Sequence, residues 1–336
     1  MSSNAEYIAY INNVSTQFNR YFSIFIFLFG VTGNILNILV LSQRSFFSNP
    51  CAILFLVSSI TNLIAILSGL TSRTLSGWAA DLTNTDRYLC KLRAFILNVA
   101  RPVAFWCILL AAIDRWLLSS PNIRYRRMST LKNAKRYMLI VFIFSFLFFS
   151  NILYCYEPNL INSPLKCYGV TVACRLVTDF SFTFISIFIP VFLMLIFGLM
   201  TINNIRKSRN HIQAVDILTQ TTKESNKRRQ RQRSDKIDYR LLRMLLVQIL
   251  LLFIFGLPLG VQKLYTTITM NRPTNNVQVA IDNFVYRFVL LLNFAANGMP
   301  FYIYTLVGRS VFRKALFKIL FALKQKISHL QRIFHL

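Results

Sequence analysis

The stretch from Cys90 to Trp116, which reads CKLRAFILNVARPVAFWCILLAAIDRW, decides the fold of this chain. It is apolar over the length of a helix, with a cysteine at its start and an aspartate, an arginine and a tryptophan at its end. At ~1.5 Å per residue, the steps from Cys90 to Arg115 extend over roughly 37 Å, more than the ~30 Å core of a bilayer. The sequence therefore predicts a membrane-spanning helix here, and we interpret the other apolar runs as helices that surround it.

The composition of the chain is that of a membrane protein. Of its 336 residues 55% are hydrophobic and only 15% are charged, and the mean hydropathy is +0.49. Soluble domains contain about 25% charged residues. The net charge of +27 does not indicate nucleic-acid binding, because the basic residues cluster between and after the apolar runs, where membrane orientation places them. We expect no nucleic-acid partner.

The polar residues do not form a recognisable catalytic or metal-binding pattern. The six cysteines and three histidines lack the spacing of a zinc or redox site. The sequence also shows no Ser/His/Asp arrangement, no HExxH motif and no pair of intramembrane aspartates. We therefore expect no metal, no cofactor and no enzymatic activity.

Seven apolar runs predict an all-α membrane protein, a seven-transmembrane helix bundle with a short amphipathic eighth helix. Residues 1–20 are predicted to form an extracellular N-terminus, and residues 21–307 the transmembrane domain. Within that domain, residues 206–240 are predicted to be the cytoplasmic third loop. Residues 308–336 are predicted to be a cytoplasmic amphipathic helix and tail, with a disordered basic tail as the alternative. The apolar runs lie at about 21–41, 51–71, 90–118, 137–156, 180–205, 241–267 and 284–307.

The distribution of basic residues predicts the orientation in the membrane. Lysines and arginines are concentrated between runs three and four, between runs five and six, and after run seven. The positive-inside rule then places the N-terminus outside and the C-terminus in the cytoplasm, which suits a multi-pass protein of the plasma membrane. Asn13-Val14-Ser15 is a glycosylation sequon on the predicted outer side.

Several motifs in this order resemble those of the rhodopsin-like (class A) G-protein-coupled receptors. The spacing from Cys90 to Arg115 is that of the family, and Asp114-Arg115-Trp116 is similar to its DRY motif. The resemblance implies a receptor that binds an extracellular ligand and activates a heterotrimeric G protein. Further matching positions are Gly33-Asn34, Pro190, Pro258 and Phe312-Arg313.

Other positions depart from the family pattern. The sodium-binding aspartate of the second helix is replaced by Asn62, and the tryptophan of CWxP by Gly256. The fifth-helix tyrosine is replaced by Gly198. The tyrosine of NPxxY is either Ile303 or Tyr304, depending on the counting, and we prefer Tyr304.

The resemblance also implies a disulfide bond between Cys90 and a cysteine in the loop after run four. Both Cys167 and Cys174 qualify, and the usual distance of this cysteine from the fifth-helix proline favours Cys167. Cys155 and Cys174 are then candidates for a second bond.

The resemblance further implies that Asp114 holds Arg115 in the inactive state. Asp238, at the base of run six, stands where the family often has an acid that pairs with this arginine. We hypothesise an Arg115–Asp238 clamp that a ligand releases. The alternative is a solvated charge pair of ~0–1 kcal/mol.

Arg101 is the unusual residue of the central run, because a lone charge in mid-membrane costs ~2.5–3.5 kcal/mol. It shares a helical face with Asn98 and points into the bundle. It either binds an acidic group of a ligand or pairs structurally with backbone carbonyls or a residue such as Asn293. Other candidates near the outer mouth, each alternatively a rim charge, are Arg73, Arg93, Asp179, Gln262, Asp282 and Arg287.

The basic mouth and the two-cysteine loop are similar to those of peptide receptors, so a neuropeptide is the expected ligand. Run three lacks the aspartate of amine receptors and run seven the lysine of opsins. Membrane lipids are further expected partners, since the basic loop suits an acidic leaflet. The alternatives are a transporter or channel, and a receptor-like chain that no longer couples to G proteins.

Overall fold

A computed structural model describes residues 2–78, 80–160, 163–218, 225–269 and 275–307, together with 316, 317, 321 and 325. Side chains are described in the same ranges except at 2, 3, 45, 209–218, 225–242 and 307. The predicted amphipathic eighth helix therefore lies almost entirely outside the described residues.

Seven helices of the described part are long and apolar enough to cross a membrane, which confirms the predicted seven-helix bundle. Shorter helical segments are Arg44–Phe47, Leu82–Asn84, Ile123–Met128 and Pro300–Val307. The long helices are α1 (Ser2–Leu41), α2 (Pro50–Ser76), α3 (Arg87–Ser119), α4 (Leu131–Cys155), α5 (Val172–Ser208, helical on to Leu218), α6 (Ser225–Ile268) and α7 (Asn276–Gly298).

Helix α3 runs through the centre of the bundle. It begins after Asp86, whose carboxylate accepts a hydrogen bond from the backbone N–H of Leu89 at 2.7 Å and so satisfies one free donor of the first turn. Most residues between Ala94 and Arg115 are buried, including the two arginines Arg101 and Arg115. The helix passes Pro102 without ending, as membrane helices tolerate.

Helices α1 and α7 approach closely where each has a glycine. A Cβ atom placed on Gly298 would lie 2.9 Å from the Cα of Gly30. Beside this contact, the side-chain amide of Asn34 donates to the backbone oxygen of Asn297 at 3.1 Å. The glycines thus allow backbone contact between the two helices.

Helix α1 also extends well before the apolar run, through most of the predicted N-terminal segment. The ring of Phe18 packs on Phe288 with centroids 5.4 Å apart, and Arg287 donates to the hydroxyl of Ser15 at 3.3 Å. These contacts with α7 support the turns of the helix that come just before the apolar run.

The segment between α4 and α5 folds into a hairpin over one end of the bundle. Strand β1 (Tyr156–Glu157) pairs antiparallel with β2 (Tyr168–Gly169). One disulfide joins Cys90 to Cys167, and another joins Cys155 to Cys174. The hairpin is therefore attached to α3 and to the first turn of α5.

Candidate functional site

The two ends of the bundle hold different polar groups. The end with Cys90 is called the cysteine end below, and the end with Arg115 the arginine end. The predicted ligand residues gather near the first, whereas Asp114, Arg115 and Tyr304 lie near the second.

A small cavity of about 50 Å³ lies at the cysteine end, beneath the β hairpin. Four basic side chains line it, and among its described lining residues there is no aspartate or glutamate. We call it the basic cavity. Its basic residues are Arg73, Arg93, Arg101 and Lys263, and its aromatic residues are Tyr156, Tyr168, Phe182, Tyr286 and Phe294.

Arg101 is 5% exposed and faces this cavity. Its Cζ atom lies 4.2 Å from the ring centroid of Phe294 and 5.9 Å from that of Phe182, within the range of cation–π attraction. Its Nε and one terminal nitrogen, Nη2, are buried with no hydrogen-bond partner among the described residues. The amide of Asn293, the suggested structural partner, is likewise without one.

Asp179 lies inside the bundle and forms the centre of a buried network. Its carboxylate accepts hydrogen bonds from the ammonium of Lys263 at 2.6 Å, the hydroxyl of Thr267 at 2.6 Å and the phenol of Tyr168 at 2.6 and 2.8 Å. Asp179 is fully buried and Lys263 is 6% exposed. The pair joins α5 to α6, while Tyr168 fixes the hairpin to both helices.

The other predicted ligand residues form contacts within the protein. Asn98 lines the basic cavity, and its amide donates to the backbone oxygen of Ala94 at 2.8 Å. The side-chain amide of Gln262 lies 3.5 Å from the backbone oxygen of Asp282, and Gln278 donates to the carboxylate of Asp282 at 2.9 Å. Gln262 and Asp282 are not among the described lining residues of the basic cavity.

A wider cavity of about 690 Å³, here called the vestibule, adjoins the basic cavity. Arg73 and Leu165 line both spaces, so the two are neighbours. Arg287 and Lys166 add positive charge to the vestibule, and Asp81 adds negative charge. The vestibule is large enough for several side chains of a ligand.

Ion pairs also attach the hairpin to α3. Glu157 accepts from Arg87 at 2.8 Å and from Lys91 at 3.0 Å. Desolvation alone would raise the pKa of Glu157, but the hydrogen bonds and positive charges of Lys91 and Arg87 outweigh it, and the net pKa is lowered. Glu157 therefore stays ionised at neutral pH and holds the start of the hairpin against α3.

At the arginine end, the side chain of Arg115 is buried and paired. It donates to the carboxylate of Asp114 at 2.7 Å and to the amide oxygen of Asn49 at 3.3 Å. The hydroxyl of Ser129, in the connection before α4, donates to the other oxygen of Asp114 at 2.5 Å. Arg115 is thereby positioned by groups from α3, the start of α2 and this connection. The side chain of Asp238, its predicted clamp partner, lies outside the described residues.

Tyr304 follows α7 and is buried against α6. Its hydroxyl donates to the side-chain oxygen of Gln248 at 2.6 Å, and its ring lies 5.1 Å from that of Phe55. Ile303 is also buried but offers no polar group. Tyr304 thus connects the segment after α7 to α6, the helix that contains Pro258.

Our sequence analysis did not select Lys263, which pairs with Asp179 in the buried network. Lys263 follows Gln262, which we selected, and the signal was present, because an ionisable residue within an apolar run indicates a functional or paired site. Tyr168 gave no such signal, since a tyrosine beside a loop cysteine has many ordinary roles. Asn13, the predicted glycosylation site, lies exposed on α1.

The fold and its two polar ends define a seven-helix membrane receptor, and comparison with known proteins identifies its class. The family model for "7 transmembrane receptor (rhodopsin family)" matches residues 33–304, so the chain belongs to the rhodopsin family of seven-transmembrane receptors. It is a multi-pass membrane protein. It is similar to the neuromedin U receptor homolog nmur-2 of Caenorhabditis elegans, with 23% identity over 293 residues that cover 82% of this chain and 71% of that protein.

Proposed function

We propose that this chain is a peptide receptor of the plasma membrane that activates a heterotrimeric G protein. The cysteine end faces the outside and receives the ligand, and the arginine end faces the cytoplasm. The peptide class is supported by the similarity to a neuromedin U receptor homolog and by the basic, partly polar vestibule. Asn13 is the proposed glycosylation site on the outer side.

The observation that best supports this proposal is the pair of arginines on one helix. Arg101 faces a cavity at one end of α3, and Arg115 is held by Asp114 near the other. The two lie about 21 Å apart along the helix at ~1.5 Å per residue. A ligand that shifts α3 relative to its neighbours would reach both sites through one rigid element.

Release of Arg115 is the proposed coupling step. In the resting state Asp114, Asn49 and Ser129 hold the guanidinium and its partner in place. The proposed step requires Arg115 to leave Asp114 and Asn49. Outward movement of α6, which contains Asp238 as a further proposed restraint, would open the arginine end of the bundle to the G protein. The hydroxyl of Tyr304 donates a hydrogen bond to Gln248 on α6, and this bond is proposed to stabilise the inactive state.

Signalling in transfected cells tests this function. Cells expressing the chain are exposed to a panel of neuropeptides that includes neuromedin U peptides, and G-protein activation is measured together with surface expression. We expect a response in the wild type and its loss, by tenfold or more, in Arg115→Ala. Asp238→Asn is expected to raise basal activity, because the proposed clamp loses its charge.

Exposed Arg124 provides the matched control, since Arg124→Ala makes the same substitution at the same end of the bundle outside the Asp114 network. A response that survives Arg115→Ala contradicts the coupling role. Peptide binding at the cell surface without any G-protein activation would instead favour a receptor that no longer couples, a possibility that Gly256 at the usual tryptophan position raises.

A further inference from the structure

The basic cavity contains more positive charge than its surroundings neutralise. Lys263 is paired with Asp179 at 2.6 Å. Arg93 lies 3.8 Å from a carboxylate oxygen of Asp81 and donates to the hydroxyl of Thr83 at 2.6 Å. No described ion pair contains Arg73 or Arg101, although both are about 95% buried. Arg101 therefore has no carboxylate beside it, and Arg73 shares the negative charge of Asp81 with Arg93.

The neutral groups of the lining do not replace the missing charge. Burial raises the pKa of Tyr156 to about 12. Burial, with the nearby charge of Asp179 as the next cause, raises the pKa of Tyr168 well above its usual value. Both phenols thus stay protonated at neutral pH. Cys167 is held in a disulfide and offers no thiolate.

A buried guanidinium with unused donors is costly unless a partner satisfies it. Burial of an isolated charge is unfavourable, because the charge loses its hydration and gains no partner in return. Arg101 nevertheless has two buried nitrogens, Nε and Nη2, with no hydrogen-bond partner among the described residues. Its ring contacts with Phe294 and Phe182 hold its position but satisfy no N–H group. No described carboxylate satisfies these two nitrogens.

Based on the receptor function proposed above, we propose that the basic cavity binds a carboxylate group of the ligand between Arg101 and Arg73. The two oxygens of a carboxylate match the fork of N–H donors on a guanidinium. The cavity of about 50 Å³ admits such a group but not a bulky side chain. The rest of the ligand occupies the vestibule, which shares Arg73 and Leu165 with the cavity.

Lys263 has a different role in this site. Asp179 already neutralises Lys263, so the positive charge of Lys263 is not available to the ligand. Asp179 also accepts hydrogen bonds from Tyr168 and Thr267. Lys263 lines the cavity, and its ion pair with Asp179 joins α6 to α5. Arg101 is the binding residue, and Asp179 and Lys263 are positioning residues.

Affinity selection on the purified full-length chain in lipid nanodiscs tests the carboxylate site. Three peptide pools of equal length with otherwise uncharged side chains serve as probes. The first ends in a free carboxylate, the second in an amide, and the third in an amide preceded by a fixed glutamate. We expect wild type to retain the first or the third pool at least tenfold over the second, and which of the two is retained identifies the source of the carboxylate.

Arginine variants provide the controls. Arg101→Gln should abolish the preference for acidic pools, whereas Arg124→Gln, the same charge change at an exposed position of the arginine end, should keep it. Arg101→Met should raise the thermal stability of the ligand-free protein, because it removes an uncompensated buried charge. A purely structural arginine would give a lower stability instead.

Two results would overturn the proposal. One is wild-type protein that is folded but retains no acidic pool better than the amide pool. The other is a preference for acid that survives Arg101→Gln. Because the selection uses no G protein, a chain that binds acids without signalling contradicts only the coupling function, and one that signals with amide-only ligands contradicts only the carboxylate site.

Discussion

At the scale of single residues, the buried carboxylate of Asp179 depends on several hydrogen-bond donors at once. Its carboxylate accepts from a lysine, a threonine and a tyrosine that belong to α6 and to the hairpin, all in the interior of the bundle. Satisfied networks of this kind fix one arrangement of neighbouring elements, and a half-satisfied network is unfavourable. The relative position of α5, α6 and the hairpin therefore depends on this one side chain.

We predict that loss of either charge of this pair is more harmful than loss of both. Asp179→Asn or Lys263→Met leaves one buried charge unpaired and should destabilise the receptor by about 3–5 kcal/mol. The double variant Asp179→Asn/Lys263→Met should recover most of that loss. Thermal unfolding of purified protein in nanodiscs measures the effect, and a double variant as unstable as the sum of both singles would contradict it.

At this scale the sequence predicted residues that have a fixed register and missed residues that only the fold brings together. Arg101 and Arg115 could be assigned because both lie on one helix whose length and ends are visible in the sequence. The contact between Asp179 and Lys263 joins residues 84 positions apart and depends on how two helices turn toward each other. Periodicity gives no information on that rotation.

Among the helices, α1 and α7 meet backbone to backbone, which leaves little room for added volume. Their backbones meet at Gly30 and Gly298, where a single added Cβ would lie 2.9 Å from a backbone atom. Gly256 in α6 offers a contrast, because a Cβ there would meet its nearest neighbour, the amide of Asn293, at 3.6 Å. Gly298 and Gly256 thus differ in the space available for an added methyl group.

This contrast gives a prediction for a matched pair of variants. Gly298→Ala should lower the stability by about 1–3 kcal/mol, since the backbones must separate. Gly256→Ala should be neutral or stabilising by up to about 1 kcal/mol, because alanine favours helix and fits without displacement. Thermal unfolding of both variants under one condition compares them directly. Equal stability of the two would show that the helices separate without cost.

The seven-helix architecture was predictable because apolar runs of about 20 residues have few alternatives. The first and last residues of the helices were less predictable. Helix α1 begins at Ser2, well before the apolar run, and contacts of Phe18 and Ser15 with α7 support only the turns next to that run. The composition also does not reveal the π-helical segments Ile66–Leu70 and Phe182–Phe188.

For the molecule as a whole, two disulfides attach the hairpin to the bundle over different lengths of chain. The bond from Cys90 to Cys167 closes 77 residues, and that from Cys155 to Cys174 closes 19. In the chain-entropy relation a longer loop gives a larger stabilisation, about 4.5 kcal/mol against about 3.2 kcal/mol here. The two bonds should therefore differ in importance.

We predict that Cys90→Ser/Cys167→Ser lowers the melting temperature more than Cys155→Ser/Cys174→Ser. The first pair joins the hairpin to the central helix, and its loss frees Tyr168 from Asp179 as well. Thermal unfolding without reductant ranks the two double variants. The reverse order would indicate that the attachment to α5 matters more than the closure of the longer loop.

The long, continuous α1 makes the receptor convenient for distance spectroscopy. From residue 2 to residue 20 the helix rises about 27 Å at ~1.5 Å per residue, without a hinge between its first turns and the membrane span. A nitroxide on exposed Glu6 and another on exposed Tyr88 should give a narrow distribution of spin–spin distances. Because α1 is continuous from Ser2 to Leu41, any tilt of this helix on ligand addition would change the measured spin–spin distance.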